Sequence, residues 1–431
     1  MSTAATAAAP VPPLPVTTLL AYGVFGMPLA MAALPLYVHL PKFYADHLGV
    51  DLTLLGVILL VLRLADGVVD PVLGAVSDRT GARKRWIALA APLLGLGMIA
   101  LFMPLPRAQT PLLVWLALAL AVIYFAFSLA TINHQAWGAE LSLDPVERTR
   151  ITAVREGLAL CGVVIAAVLP AYLGGGDGGL GRFALLFAAF TVLCAFVTLR
   201  GTPRSVVATA KRARPLPLGG MIARPLADPL FRKLLVVFML NGIAAAIPAT
   251  LVLFFIADVL DAEARQGVFL ALYFIAGAAG MPLWVKLSAR IGKPTAWLAA
   301  MGVAIAAFVW AARLGAGDTT AFAIICVLSG IALGADLALP PSLLADVIGR
   351  RGTMEGAGSY FGIWTLATKL NLALAAGIAL PLLSALGYQP GGRDSTALTA
   401  LAIVYAFVPC VLKLGAGGAL LWFDKSRMRS K

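Results

Sequence analysis

The chain has 431 residues, of which 61% are hydrophobic and only 12% charged, with a formal net charge of +13. Soluble domains run about 45–50% apolar and about 25% charged, so a soluble enzyme, a disordered chain and a collagen-like fibre are excluded. A nucleic-acid partner would need the positive charge gathered on a soluble face, and its spread along the chain decides against that.

A membrane-spanning helix needs about 20 apolar residues. Such runs predict helices over 17–40, 52–76, 87–105, 111–138, 152–173 and 182–200, then over 232–256, 266–287, 295–313, 320–345, 357–387 and 397–423. The expected fold is an all-α membrane protein with twelve transmembrane helices in two parallel six-helix pseudo-repeats. Residues 1–16 are read as a disordered N-terminal segment, 17–200 and 232–423 as the two bundles, 201–231 as a basic, proline-rich linker and 424–431 as a tail. Residues 1–16 lack the basic start of a signal peptide.

Lys and Arg concentrate in loops that stay cytoplasmic. With residue 1 inside, about 24 of the 33 lie in inside segments and about six outside, which puts both termini in the cytoplasm. Arg63, Lys369 and Lys413 remain within spans. The cysteines 161, 194, 326 and 410 all fall in apolar runs and are read as small core hydrophobes. The run Gly174–Gly179 lacks the strand, Lys and Ser/Thr of a phosphate loop and is read as a flexible turn.

The halves echo one another. Arg79-Thr80-Gly81 follows the second helix and Arg290-Ile291-Gly292 the eighth, while Ala139-Glu140-Leu141 follows the fourth and Ala345-Asp346-Val347 the tenth. Repeated six-helix halves with a site at their interface are the logic of many secondary transporters.

The segment from Arg63 through Asp66, Asp70-Pro71 and Gly74 to Asp78-Arg79-Thr80-Gly81 resembles the glycoside–pentoside–hexuronide:cation symporters, the melibiose permease-like family of the major facilitator superfamily. So do Tyr22-Gly23, Phe43-Tyr44-Ala45-Asp46, Glu147-Arg148-Thr149 and Pro341-Ser342-Leu343-Leu344-Ala345-Asp346. The resemblance implies a symporter that couples H+ or Na+ to uptake of a sugar-like solute. No other cofactor is implied. The expected partners are a small solute and the lipid bilayer, with no nucleic acid; the expected form is a monomer in a bacterial inner membrane.

An intramembrane charge is costly and by default marks a path or a site. Asp66 and Asp70 lie one turn apart on one helix face, and two buried carboxylates repel until a cation or a shared proton relieves them. They are the expected coupling site, and the metal ligands if the ion is Na+; the resemblance implies the same role. Arg63 is either part of this site or a static ion-pair partner. Lys369 needs an acid, with Asp66 or Asp70 the expected one, and the alternative is snorkelling to an interface. Apolar Val69, next to Asp70, argues for H+ over Na+.

Asn133 and Trp137 share a face of the fourth helix, where an indole beside a hydrogen-bonding group suits a sugar ring. In the family a tryptophan here packs against sugar, but Asn133 replaces an aspartate and Ala30 another, so galactoside specificity does not carry over. The loss of these acids leaves open a lysophospholipid or similar amphiphile as cargo. Arg155 matches a family arginine near the sugar. His134 is read as structural. Asp336 either pairs with Lys369 or Lys413 or lines the path, and Asn241, Tyr360 and Trp364 are further pocket candidates. Asp78, Arg79, Gly81 and Arg83, with Lys84, form a loop expected to bridge helix ends when the cytoplasmic side is closed. An enzyme would need a nucleophile–base or metal cluster, which His39, His47 and His134 do not form, and no ATP-binding motif occurs.

Overall fold

The structure, a computed structural model, describes residues 13–40, 43–50, 52–106, 108–174, 176–204, 218–350, 354–388 and 394–429. Most of the N-terminal segment 1–16, the centre of the linker 201–231 and the end of the tail 424–431 lie outside the described residues. So do Lys42, Arg107, Lys211, Arg212, Arg214, Arg351, Arg393 and Lys431 from the charge count, and Gly175 of the glycine run.

The described chain is helical throughout, without a strand. In order, α1 is Val16–Ala33, α2 Leu52–Thr80, α3 Arg83–Phe102, α4 Gln109–Glu140, α5 Pro145–Tyr172, α6 Gly176–Gly201, α7 Leu218–Ala227, α8 Pro229–Phe254, α9 Gln266–Ile291, α10 Lys293–Ala311, α11 Thr319–Gly349, α12 Ala357–Ala385 and α13 Ser395–Arg429. In lipid every backbone polar group must be satisfied within its own segment, which long apolar runs achieve only as helices. Eleven of these helices are long and apolar enough to cross a membrane. The twelfth span is α2, 29 residues long, which carries Arg63, Asp66, Asp70, Asp78 and Arg79. The linker helix α7, of 10 residues, is too short to cross.

The helices run further than their apolar cores. α5 begins at Pro145, not 152, because Asp144 accepts the Val146 N–H at 2.7 Å and proline occupies the first helical position. Likewise α2, α11 and α13 continue to Thr80, Gly349 and Arg429, past the predicted 76, 345 and 423. All four extensions lie at the end of the bundle where α1 begins and α13 ends, which carries most of the described Lys and Arg and is called here the basic end.

α1–α6 pack among themselves, as do α8–α13, and the halves meet along α2–α12, α4–α12, α5–α9 and α5–α11. The α2–α12 crossing is backbone on backbone. A Cβ on Gly362 would sit 2.6 Å from the Asp70 carbonyl oxygen and one on Gly358 2.6 Å from that of Gly74, the close approach that small residues permit between membrane helices. The predicted echo is real geometry: Gly81 and Gly292 both turn in the left-handed region, at φ 59° and 85°. Toward the lipid, α2 presents Val57, Leu60, Val61, Leu64 and Val68. Cys194, Cys326 and Cys410 are buried as expected, but Cys161 is exposed on the outside of α5, where an apolar run says nothing of which face a residue takes.

Candidate functional site

Asp66 and Asp70 stand near the middle of α2, Asp66 about 20 Å from its end at Thr80 at 1.5 Å per residue. Asp70 is fully buried and Asp66 is 9% exposed. Lys369 of α12 reaches across from the other half. Its ammonium donates to Asp66 Oδ2 at 2.5 Å, to Asp70 Oδ1 at 3.0 Å and to Ser128 Oγ of α4 at 2.9 Å. Ser128 in turn donates to Asp66 Oδ1 at 2.8 Å. Two carboxylates share one ammonium, so with all three groups ionised the cluster holds a net charge of −1. The oxygens of Asp66, Asp70 and Ser128 are the donor set available to a small cation, at the place the ammonium now fills. Arg63 is half-buried, one turn farther from the basic end on the same helix. Val69 is 38% exposed, on the outside of α2, so its apolar character says nothing about the ion.

A second buried ammonium sits wholly inside the other half. Lys413 of α13 donates to Asp336 Oδ2 of α11 and to Asn241 Oδ1 of α8, both at 2.8 Å. Asp336 Oδ1 accepts from Asn241 Nδ2 at 3.0 Å and from Trp297 Nε1 of α10 at 2.8 Å. Of the two lysines offered to Asp336 by the sequence, Lys413 is the partner.

At the basic end the halves are pinned. Asp78 accepts from the N–H groups of Gly358 and Ser359 and from the Ser359 hydroxyl, each at 2.7 Å, capping the start of α12. It also pairs with Arg83 at 2.6 Å, which reaches Glu140 at 2.8 Å. The matching pair in the other half is Lys293–Asp346 at 2.6 Å. Arg148 crosses between halves to the Ala345 carbonyl at 3.0 Å and Asp346 at 3.2 Å, beside Thr149 and Ser342, whose hydroxyls lie 3.0 Å apart. Of the loop residues, Asp78 and Arg83 make these bridges, Gly81 makes the turn, and Arg79 is exposed.

The expected sugar contacts are placed otherwise. Asn133 is fully buried in the basic-end network, where its Oδ1 accepts from Ser77 Oγ, which also accepts from Arg83. Trp137 is 1% exposed, with Lys84 5.0 Å from its ring and Tyr22 against its edge. The shared face of Asn133 and Trp137 therefore turns into the first half's own core, not toward its interface with the second. Helical spacing puts residues on one face without saying which neighbour that face meets. His134 Nε2 donates to the Tyr22 carbonyl at 2.8 Å, and the Tyr22 hydroxyl donates to the His134 carbonyl at 2.8 Å, a closed structural pair. Arg155 does reach the space between the halves. It lines a cavity of about 10 Å³, room for one water, with Gln135, Thr152, Pro341 and Phe361, and it pairs with its neighbour Glu156. Trp364 is buried and stacks on Phe238 at 3.8 Å. Tyr360 donates to Asp228 at 3.2 Å near the linker.

The sequence reading missed Ser128 and Glu156. A hydroxyl in the apolar stretch of α4, a helix that packs against the one carrying the two intramembrane acids, was the available signal for Ser128.

Twelve spans in two six-helix halves, joined over buried charges and pinned at one end, define a membrane transporter of the major facilitator fold. The family model described as MFS/sugar transport protein matches residues 19–425, and the chain belongs to that family. It is a transporter and not an enzyme. The chain is 21% identical to the isoprimeverose transporter of Lactiplantibacillus pentosus over 413 residues, covering 91% of this chain and 85% of that one. It is equally 21% identical to the mouse sphingosine-1-phosphate transporter MFSD2B over 439 residues, 93% of this chain and 88% of that one. Two symporters, from Escherichia coli and Synechocystis, align over only 37% and 30% of their own lengths. Among solved structures, a bacterial homologue of the iron transporter ferroportin in an outward-facing state superposes with a TM-score of 0.71 at 17% identity, covering 96% of this chain and all of that one.

Proposed function

We propose that the protein is a cation-coupled symporter, carrying a sugar-like solute with H+ or Na+ by alternating access. The observation that carries this reading is the net negative cluster of Asp66, Asp70 and Lys369, whose acids belong to one half and whose ammonium belongs to the other. A cation that binds the acids competes with Lys369, so ion occupancy alters an interaction between the halves. The basic end faces the cytoplasm of a bacterial cell, as the Lys/Arg excess favours, and its bridges describe a carrier closed on that side. Solute then enters between the halves from the opposite side, toward Arg155 and Glu156, and the protein works as a monomer.

A second cargo class is an amphiphile with an anionic head. It is favoured by the full-length likeness to MFSD2B and by Asn133 and Ala30 standing where the resembling family has acids. Uptake of glycosides and of sphingoid or lysolipid phosphates into proteoliposomes, with the H+ and Na+ gradients varied independently, separates the two. The coupling test is Asp70→Asn. Gradient-driven accumulation should be lost while solute exchange without a gradient persists, and unchanged accumulation would refute the assignment.

A further inference from the structure

The second ammonium cluster is assigned no role by the reading above, and its surroundings connect it to the first. Asn241 is 3% exposed and bound on both sides, to Lys413 and to Asp336. Its chain neighbour Gly242 faces α12. A Cβ on Gly242 would collide with the Asn371 amide, lying 2.7 Å from its Cγ, with Nδ2 closer still, and 3.4 Å from its Cβ. Asn371 is 4% exposed, and its Oδ1 has no hydrogen-bond partner among the described residues. A buried amide with an unsatisfied oxygen is held there by shape, not by bonding.

Asn371 and Lys369 are two residues apart on α12, which at 100° per residue sets them about 200° apart around the helix. One side of α12 thus seats an amide in the notch of α8, and the other sends an ammonium to α2. On the α2 side there is no slack: Gly362 lies against the Asp70 carbonyl and Gly358 against Gly74. The helix is wedged between the notch and the glycine crossing, so its rotation about its own axis is fixed from both sides.

We infer that Gly242 and Asn371 are positioning residues for the coupling lysine. The cluster of Asn241, Asp336, Lys413 and Trp297 anchors α8 to α10, α11 and α13, the Gly242 notch seats Asn371, and that seat sets the angle from which Lys369 reaches Asp66 and Asp70. The inference rests on the proposed competition between Lys369 and a cation. Filling the notch cannot translate α12 toward α2, so the Asn371 amide must leave its seat, and α12 loses the contact that fixes its turn on the α8 side. Any displacement from donor distances of 2.5, 2.9 and 3.0 Å weakens the hold of the ammonium and leaves the acids more open to a cation.

The test is Gly242→Ala in the full-length protein in proteoliposomes. The cation concentration for half-maximal uptake, of Na+ or H+, should fall by about threefold or more, the scale of coupling between residues in contact, with the KM for solute unchanged. In Gly242→Ala/Asn371→Ala the collision is removed and the two Cβ atoms meet at 3.4 Å, which refills the seat, so the half-maximal concentration should return toward wild type. Gly302→Ala, where a Cβ meets nothing within 4 Å, should change neither quantity. A Gly242→Ala protein with lower maximal rate but an unshifted cation dependence would overturn the inference, as would a shift that persists in the double variant. If Gly242→Ala does not fold, Asn371→Ala alone replaces it: loosening the seat should lower the half-maximal cation concentration, and an unshifted value overturns the inference. If Asp70→Asn leaves accumulation intact, the symport reading fails instead, whatever the result at Gly242.

Discussion

Among the described residues, Lys369 and Lys413 place their ammoniums within the spans, and they differ in what surrounds them. Lys413 meets one carboxylate, one amide and, through that carboxylate, one indole, all within the second half. Its cluster is neutral and every oxygen of Asp336 has a donor. Lys369 meets two carboxylates and a hydroxyl that all belong to the other half. Its cluster is negative, and it cannot survive a separation of α12 from α2. A neutral, one-sided cluster travels as part of a rigid body. A charged, two-sided one is a place where an ion and a conformational change meet, and the contrast predicts opposite responses to the same substitution.

Asp336→Asn gives the largest effect. It strands the Lys413 ammonium, and removing one partner of a buried pair costs about 3–5 kcal/mol, read as a loss of thermal stability in detergent. Replacing both charges, in Asp336→Asn/Lys413→Met, should recover most of that loss. Asp66→Asn should behave in the opposite way. It leaves Asp70 and Lys369 as a neutral pair, so stability should hold or rise while gradient-driven accumulation collapses. An Asp66→Asn protein as unstable as Asp336→Asn would break the comparison.

Next in size is Lys369→Ala, which leaves two carboxylates facing each other with no ammonium. The folded state then gains from any bound cation, by about 2.7 kcal/mol at a hundred times the dissociation constant. Protons act in the same direction: the folded variant takes up more of them than the unfolded chain, so its stability rises as pH falls. Melting curves of the variant against Na+ and pH should therefore slope more steeply than those of wild type. Equal slopes would mean that the ammonium and the cation do not share a site.

These clusters were unequally legible in the sequence. Asp66, Asp70 and Lys369 stood out because a charge in an apolar run is expensive, and the resemblance of the segment around them pointed the same way. The spans were equally plain. Their ends were not, because α5 starts on the Asp144–Pro145 cap rather than on hydropathy. Partner choice was the hidden part. Asp336 could be offered two lysines, but only the packing of α11 against α10 and α8 against α13 selects Lys413 and brings Trp297 to the same oxygen as Asn241. The same ignorance of azimuth led to Asn133 and Trp137 being read as cavity residues. A one-dimensional pattern fixes which residues share a face of α4; that this face meets Tyr22, Ser77 and Lys84 is decided by neighbouring helices. Gly242 carried no signal at all, since the residue that needs its missing Cβ lies on another helix.

The bridges at the basic end extend the contrast to closure. Arg148→Ala removes the contacts to the Ala345 carbonyl and Asp346, yet Asp346 keeps Lys293, so no carboxylate is stranded and the fold should stand. What is lost is a charged bond between halves, of about 1.5–3 kcal/mol, and the closed population should fall accordingly. Labelling of Thr152→Cys by an impermeant thiol reagent from the basic end, at the cavity that Arg148 and Arg155 line, should quicken about tenfold or more. An unchanged labelling rate would mean that Arg148 does not hold this end shut.

The smallest effect belongs to the pair that resembles Arg148–Asp346 on paper and differs from it in solvent. Arg224 of α7 lies 3.1 Å from Glu355, but the two side chains are 39% and 56% exposed. Water competes for both groups, and exposed pairs contribute about 0–1 kcal/mol. α7 touches α2 on one side and α8 and α12 on the other, so the pair is well placed to hold the linker helix across the closed end, yet burial and not placement sets its strength. Arg224→Ala should raise Thr152→Cys labelling by less than about fivefold, the factor that 1 kcal/mol allows, and the difference should shrink in high salt, whereas the Arg148→Ala effect should survive it. If Arg224→Ala matched Arg148→Ala and resisted salt, closure would be governed by the linker helix and not by the buried bridges between the halves.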